Sequence, residues 1–260
     1  MSSSPRAIAT ACWLGSVPYR RGWELQGELV DAIRSGGAPD TLLFLEHPHV
    51  YTAGKRGGMD HVLWDQPRRQ AAGVELVASD RGGDVTYHGP GQLVGYPVFD
   101  LRRLGVDLLD HIHGLERSLI GYLAEVGVDA EPGGAGLTGV WADGAKVAAI
   151  GVKLSGSVVS HGFALNLTTD LSYFDGIVGC GLEGRRATSV ERLTGRSIRC
   201  GDAARVRASL RKHVRDEAGV ATCNHHLAHA GRQARNHREA THDLLTRPQG
   251  IGLAANRGYL

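Results

Sequence analysis

A cysteine set between two glycines is the residue of this chain best suited to nucleophilic chemistry. Cys180 follows Gly179 and precedes Gly181 in an otherwise apolar run. The glycines permit a sharp turn that exposes the sulfur, and they leave backbone N–H groups free to meet a developing oxyanion. A thiolate is a good nucleophile for thioester exchange. The residues alone leave two interpretations open, a catalytic thiol and a small buried hydrophobe.

The other cysteines do not share these surroundings. Cys12 lies inside the apolar run Ile8–Leu14, where a buried thiol is expected. The four cysteines are widely scattered without a CxxC pair, which argues against a disulfide framework or a zinc ribbon. The run Cys223–His229 holds metal-ligand types, but C-x-H-H-x-x-H lacks the paired spacing of a structural zinc finger. The sequence therefore predicts no metal site and no cofactor.

A lysine at the start of an apolar run is the second candidate for chemistry. Lys146 follows the turn signal Asp143-Gly144 after one intervening alanine. It is either a solvated lysine at a strand mouth or, if desolvated, a group that exchanges protons with a neighbouring nucleophile. Lys153 closes the same run and has the pattern of an ordinary surface lysine.

A glycine-rich segment, Arg81–Gln92, also contains arginine, tyrosine and histidine. Such a segment can bring backbone N–H groups close to a ligand. It is not a Walker phosphate loop, since no Gly-Lys-Ser/Thr follows and no helical pattern begins at its end. A ligand-binding loop and a surface turn both fit the spacing.

Bulk properties exclude several classes of protein. The chain has 260 residues, 42% of them hydrophobic, and 37 glycines, which favours an enzyme with glycine-rich loops over a helical scaffold. A net charge of +2 is too small to indicate nucleic-acid binding or a polybasic membrane patch. The first residues lack the apolar run of a secretory signal, and no stretch approaches a membrane span. We therefore expect a cytoplasmic protein with no nucleic-acid or membrane partner.

The elements that must hold these residues are strands and helices in mixed order. Apolar runs bounded by turn residues predict six strands, and the turn Ser155–Ser157 predicts a hairpin between the last two. The strands are Ile8–Leu14, Thr41–Glu46, Val74–Ala78, Leu93–Phe99, Lys146–Lys153 and Val158–Leu167. Apolar spacings of three and four, with capping residues, predict three helices. They are Val17–Arg34 with Pro18 in its first turn, Asp107–Val126, and Asp202–Ala218.

This order lacks a regular βαβ rhythm, so it predicts an α/β (α+β) fold with antiparallel pairs in a mixed sheet flanked by helices. We expect one catalytic domain over residues 1–220. Residues 221–260 are polar and hold five of the 13 histidines, which favours a disordered tail.

Taken together, these segments resemble the octanoyltransferases of lipoate biosynthesis. The likeness is collinear over about residues 8–218. Gly179 stands where proline is common in that family, and the tail has no counterpart in it. The matching blocks are Glu46–Pro48, Val50–Gly54, Arg81–Leu101, Lys146–Val152, Ser160–Leu167 and Cys180–Leu182.

The resemblance implies a fold like the catalytic domains of biotin-protein and lipoate-protein ligases. It also implies that Cys180 carries the acyl group as a thioester and that Lys146 serves it as acid and base. Three segments are implied to line the acyl pocket. Their residues are Arg81, Gly82, Gly83, Asp84, Val85, Thr86, Tyr87 and His88, then Ala149, Ile150 and Gly151, then Gly162, Phe163 and Ala164.

The implied donor is octanoyl-acyl carrier protein, and the implied acceptors are lipoyl-domain proteins such as 2-oxoacid dehydrogenase E2 subunits and glycine cleavage H protein. No nucleotide is needed, because one thioester exchanges for another. Three alternatives stay open: an ATP-dependent lipoate or biotin ligase, a binding module for an acylated carrier, and an enzyme that shuttles octanoyl between lipoyl domains.

Overall fold

The computed structural model describes residues 8–134, 136–178, 186–200 and 221–224. These residues form eleven strands: β1 Ile8–Ser16, β2 Asp40–Glu46, β3 Val50–Ala53, β4 Glu75–Ala78, β5 Val85–His88, β6 Gln92–Asp100, β7 Glu131–Pro132, β8 Gly139–Ala142, β9 Ala145–Ser155, β10 Val158–Asn166 and β11 Ala221–Asn224. The α-helices are α1 Tyr19–Arg34, α2 Gln66–Ala71, α3 Leu101–Leu104, α4 Leu108–Glu125 and α5 Val190–Thr194, and two 3₁₀ helices span Met59–His61 and Leu171–Gly176.

Two mixed sheets hold the strands. The larger has eight in the order β11-β1-β2-β6-β10-β9-β8-β7, and the smaller has three in the order β4-β3-β5. Strand β1 pairs in parallel with β2 and β11, while β2, β6, β10, β9 and β8 pair with one another antiparallel. The expected mixed sheet flanked by helices is confirmed.

Alternation along the central strands explains why helices cover both faces of the large sheet. On β2, Leu42 and Phe44 pack into the cluster that contains the α4 residues Leu115 and Leu119. The intervening Leu43 and Leu45 pack into a second cluster with Leu25 and Leu29 of α1. Because successive side chains of a strand point to opposite faces, a strand buried on both faces is continuously apolar.

Capping residues fix the ends of α4 where the sequence places them. Asp107 accepts from the Asp110 N–H, and the Asp110 side chain accepts from the Asp107 N–H, which completes a capping box. Gly127 follows the helix with a φ of +86°. The helix begins at Leu108 and ends at Glu125, so the prediction of Asp107–Val126 is confirmed within one residue.

The predicted hairpin is also confirmed, since Val158 pairs with Ser155 across the turn that contains Gly156. Helix α1 begins at Tyr19, so Pro18 is its N-cap residue and not part of its first turn.

The interpretation of Arg81–Gln92 as a continuous loop is wrong, because Val85–His88 is strand β5, paired antiparallel with β3.

Two further outcomes concern the C-terminal part of the chain. The predicted helix Asp202–Ala218 lies outside the described residues. The segment predicted to be a tail begins with β11, whose residues Ala221–Asn224 pair with Ile8–Ala11 of β1. No helix in the described part of the chain is both long and apolar enough to cross a bilayer.

A buried histidine in α4 makes the stability of the fold pH-dependent. His111 packs edge-on against Phe99, and its Nε2 has no hydrogen-bond partner among the described residues. Burial lowers its pKa from 6.5 to about 4. The unfolded chain therefore binds a proton that the folded chain does not, so this part of the stability is present above about pH 6.5 and is lost as the pH falls toward 4.

As the pH falls over that interval, the free energy of unfolding should decrease by about 3 kcal/mol less in His111→Leu than in the wild type. Urea unfolding at several pH values measures the decrease. His113→Leu, at an exposed position of the same helix, is the matched control. An unchanged pH slope in His111→Leu would contradict the assignment.

Candidate active site

A cavity of about 310 Å³ is lined by residues of both sheets, with β5, β6, β9 and β10 contributing its walls. Several of its lining residues are also exposed to solvent and therefore form its rim: Arg56, Gly136, Thr138 and Arg186. Others are buried and form its inner part, among them Tyr19, His88, Tyr96 and His161. The cavity is thus open at one side and closed by aromatic rings inside.

Most of the site residues expected from the sequence border this cavity. They are Arg81, Gly83, Asp84, Val85, Thr86, His88, Lys146, Ala149, Ile150, Gly151, Gly162, Phe163 and Ala164. Gly82 and Tyr87 do not border it, and Cys180 lies outside the described residues. The structure therefore brings the three sequence segments and Lys146 together around one space.

Small residues on neighbouring strands form one wall. Ala149 pairs with Ala164, and Gly151 pairs with Gly162, across β9 and β10. Gly82 lies behind Gly151, because the Gly82 N–H donates to the Val152 carbonyl at 2.9 Å. A Cβ on Gly151 would lie only 2.8 Å from the Gly82 carbonyl oxygen. Glycine at position 151 therefore lets the Arg81–Gly83 backbone approach the strand.

Gly151→Ala is expected to lower the free energy of unfolding by about 1–3 kcal/mol, because the added methyl displaces backbone that cannot easily yield. Gly27→Ala is the matched control, since its Cβ would meet nothing within 4 Å and the position is inside α1. That change should stabilise the protein by about 0.5–1 kcal/mol. Equal effects of the two substitutions in urea unfolding would contradict the close approach at Gly151.

Two of the expected residues support the wall. The buried Arg81 guanidinium donates to the Thr52 carbonyl, to Thr52 Oγ1 and to the Gly82 carbonyl, so it holds β3 against the glycine segment. Tyr87 stacks on Tyr173 with ring centroids 5.0 Å apart. Its hydroxyl is 2.7 Å from His49 Nδ1. Tyr87 thus fixes β5 from the side away from the cavity.

A buried chain of hydrogen bonds runs from His88 to the segment after residue 185. His88 Nδ1 lies 2.8 Å from Gln92 Oε1, and Gln92 Nε2 donates to Asn166 Oδ1 at 2.9 Å. Asn166 Nδ2 donates to the Thr188 carbonyl at 2.9 Å, and the Thr188 N–H donates to the Lys146 carbonyl at the same distance. The chain therefore ties β5, β6 and β10 to the backbone of Lys146.

Lys146 is placed by a tight turn and by this neighbouring segment. Asp143 and Gly144 both have positive φ, 48° and 71°, as in a type I′ hairpin turn between β8 and β9. Lys146 is half-buried as a residue, and its Nζ donates to the Thr138 carbonyl at 3.2 Å and lies 5.1 Å from the centre of the Trp141 ring. Lys146 therefore reaches the cavity close to the rim residue Thr138.

The described residues on either side of Cys180 border the same cavity. Ile177 lines it, and the next residue, Val178, donates its N–H to the His61 carbonyl at 2.8 Å. Arg186 also lines it and accepts at its carbonyl from the Lys146 N–H at 2.9 Å.

Cys12 and Cys200 are both at least partly shielded from solvent. Burial raises the pKa of the half-buried Cys12 thiol to about 11, and Cys200 is buried in the main core cluster. Cys12 thus lacks the low pKa, and Cys200 the exposure, that mark a reactive thiol.

Burial lowers the pKa of three histidines that lie at or next to the inner end of the cavity. His88 stacks on Tyr19, and burial lowers its pKa well below 6.5. Tyr96 hydroxyl bonds to His47 Nε2 at 2.7 Å, and burial lowers the His47 pKa to about 4. His161 bonds to Asp80 at 2.8 Å, and burial lowers its pKa as well. Neutral rings of this kind favour an apolar ligand over a charged one.

Sequence comparison relates the chain to proteins of known class. The family model described as the lipoyl protein ligase A/B catalytic domain matches residues 18–212. The octanoyltransferase of Chloroflexus aurantiacus is 49% identical over 184 residues, which cover 70% of this chain and 82% of that protein. The octanoyltransferase of Mycobacterium leprae is 42% identical over 222 residues, which cover 82% of this chain and 90% of that protein.

Solved structures show a similar fold at low identity. A bipartite lipoate protein ligase of Thermoplasma acidophilum has a TM-score of 0.64 and 16% identity, covering 92% of each chain. A lipoate-protein ligase A bound with ATP also has a TM-score of 0.64 and 16% identity, covering 92% of this chain and 94% of that one. The fold expected from the sequence resemblance is thus confirmed for the lipoate ligases.

Proposed function

We propose that this chain, an acyltransferase of the lipoyl protein ligase A/B catalytic-domain family, transfers octanoyl from octanoyl-acyl carrier protein to a lysine of a lipoyl-domain protein. This transfer is the first step of protein lipoylation. The acceptors are 2-oxoacid dehydrogenase E2 subunits and glycine cleavage H protein. The proposed compartment is the cytoplasm, where unpaired cysteines stay reduced.

One observation carries this proposal. Lys146 lines a cavity that is also lined by Ile177, before Cys180 in the sequence, and by Arg186, after it. The backbone N–H of Lys146 donates a hydrogen bond to the Arg186 carbonyl. A cavity lined by glycines, alanines and neutral rings suits a slender acyl chain. Each buried methylene contributes about 0.8 kcal/mol of affinity.

The proposed reaction has two steps. In the first, the Cys180 thiolate attacks the thioester carbonyl, the carrier sulfur leaves, and the carrier thiol takes the proton that Lys146 removed from Cys180. In the second, the acceptor lysine amine attacks the octanoyl thioester on Cys180. The C–S bond breaks, an amide forms, and the amine's proton returns through Lys146 to the Cys180 sulfur.

No nucleotide enters these steps, because the donor is already an activated ester of a thiol. This feature separates the proposal from an ATP-dependent ligase, which must first make an acyl adenylate from a free acid. It also separates the proposal from a binding module, which would hold an acylated carrier without forming a bond to it.

Intact mass spectrometry of the full chain after incubation with octanoyl-acyl carrier protein tests the first step. We expect one octanoyl adduct that forms without ATP and is removed by hydroxylamine, which cleaves thioesters. Addition of a lipoyl domain should then discharge the enzyme and add the octanoyl mass to the domain. If an adduct forms only with ATP and free octanoate, the transferase proposal is wrong.

A further inference from the structure

Two arginines on different segments border the opening of the cavity. Arg56 and Arg186 both line it and are both exposed. The Arg56 N–H donates to the Gly83 carbonyl at 3.0 Å, and the Arg186 carbonyl accepts from the Lys146 N–H at 2.9 Å. Backbone hydrogen bonds therefore fix the origin of each side chain on a wall of the cavity.

The charge at this opening is positive. Asp84 is the only acidic residue among the described residues that line the cavity, and its Oδ1 is engaged by His61 Nδ1 at 2.8 Å and by the Val85 N–H at 2.6 Å. No ion pair joins Arg56 or Arg186 to another residue in the described part of the chain. Lys146 adds a third basic group just inside the rim.

This arrangement opposes the entry of a lone lysine ammonium. The acceptor's side chain has only four carbons between its backbone and its amine, so the backbone around the acceptor lysine must come up to the rim. Residues beside the acceptor lysine then face the two arginines. Carboxylates at those positions pair with the arginines and offset the repulsion of the lysine, whereas neutral residues do not.

We propose that Arg56 and Arg186 select an acceptor lysine that is flanked by carboxylates. This inference rests on the proposed function and specifies its acceptor. It assigns the rim a role in recognition of the acceptor peptide that is separate from the chemistry at Cys180 and Lys146.

The experiment measures the second step alone. The full-length enzyme is first loaded with octanoyl from octanoyl-acyl carrier protein, the carrier is removed, and the loaded fraction is measured by intact mass. The probes are two forms of one E2 lipoyl domain, with aspartate or with asparagine on both sides of the target lysine. We expect the wild-type acyl-enzyme to react about tenfold faster with the aspartate form at low salt, and this preference should shrink as salt is added.

The Arg56→Gln/Arg186→Gln double variant should react with the two forms at nearly equal rates. The Arg20→Gln/Arg102→Gln variant changes the net charge equally at exposed arginines that pair with Glu75 and Asp100 outside the cavity, and it should keep the wild-type preference. A preference that survives in the Arg56/Arg186 variant, or that is lost equally in the control, overturns the inference. Failure of the wild type to become loaded rejects the proposed function instead, and this is read before any acceptor is added.

Discussion

Cys180→Ser is expected to abolish the hydroxylamine-sensitive octanoyl adduct and to lower octanoyl transfer at least about 10³-fold. The thiolate is both the attacking group in the first step and the leaving group in the second. A serine hydroxyl is a far weaker nucleophile without a dedicated base, and any oxygen ester that it formed would resist attack by the acceptor amine. Intact mass reports the adduct, and the rate of octanoylation of a lipoyl domain reports turnover.

Cys12→Ser is the matched control, since it removes one thiol elsewhere in the chain. Its thiol is half-buried on β1 with a pKa raised to about 11, so it stays protonated at neutral pH. That variant should load and transfer at the wild-type rate. If the adduct persists in Cys180→Ser and disappears in Cys12→Ser, the proposed nucleophile is wrong.

The long elements of the fold could be predicted because each carries its own local signal. Helix α4 has apolar residues at helical spacing and a capping box, so its bounds depend little on distant residues. The hairpin of β9 and β10 joins two long apolar runs through Gly156, whose φ of +63° suits a tight turn.

Most short elements other than β4 could not be predicted, because their pairing is decided by contacts distant in sequence. Strands β3 and β5 have four residues each, and β5 lies inside a segment whose glycines indicate a loop. Tyr51 and Tyr87 show why β5 forms: they pair across the two strands and are buried in a common aromatic cluster. The sequence of a four-residue strand contains no pattern that indicates the burial of these tyrosines.

The residues of the candidate site also differ in whether the local sequence indicates them or only distant contacts do. Arg81, Lys146 and Gly151 belong to segments whose composition is unusual, so the sequence singles them out. Gln92 and Asn166 were missed, because their role arises from a hydrogen bond between residues 74 positions apart. The rim arginines were missed as well, because an exposed arginine has no local signal until the fold shows what it faces.

Lys146→Ala is expected to lower octanoyl transfer by about 10²- to 10⁴-fold, the usual contribution of a positioned acid–base group. The fold should be little affected. Lys146 is half-buried, and its Nζ donates to the Thr138 carbonyl, which is itself exposed to water. Thermal unfolding followed by circular dichroism checks the fold, and single-turnover rates of loading and discharge report the two steps.

Lys146→Arg separates charge from proton transfer, because a guanidinium keeps the positive charge but does not give up a proton at neutral pH. If Lys146 moves protons, the arginine variant should be nearly as slow as the alanine variant in both steps. If Lys146 supplies only a charge near the thiol, the arginine variant should recover most of the rate. Lys55→Ala removes an exposed lysine that does not line the cavity, and it should leave loading unchanged. Wild-type rates in Lys146→Ala would mean that Lys146 is only a lysine at the start of a strand, and the proton would then have to move through another group at the cavity.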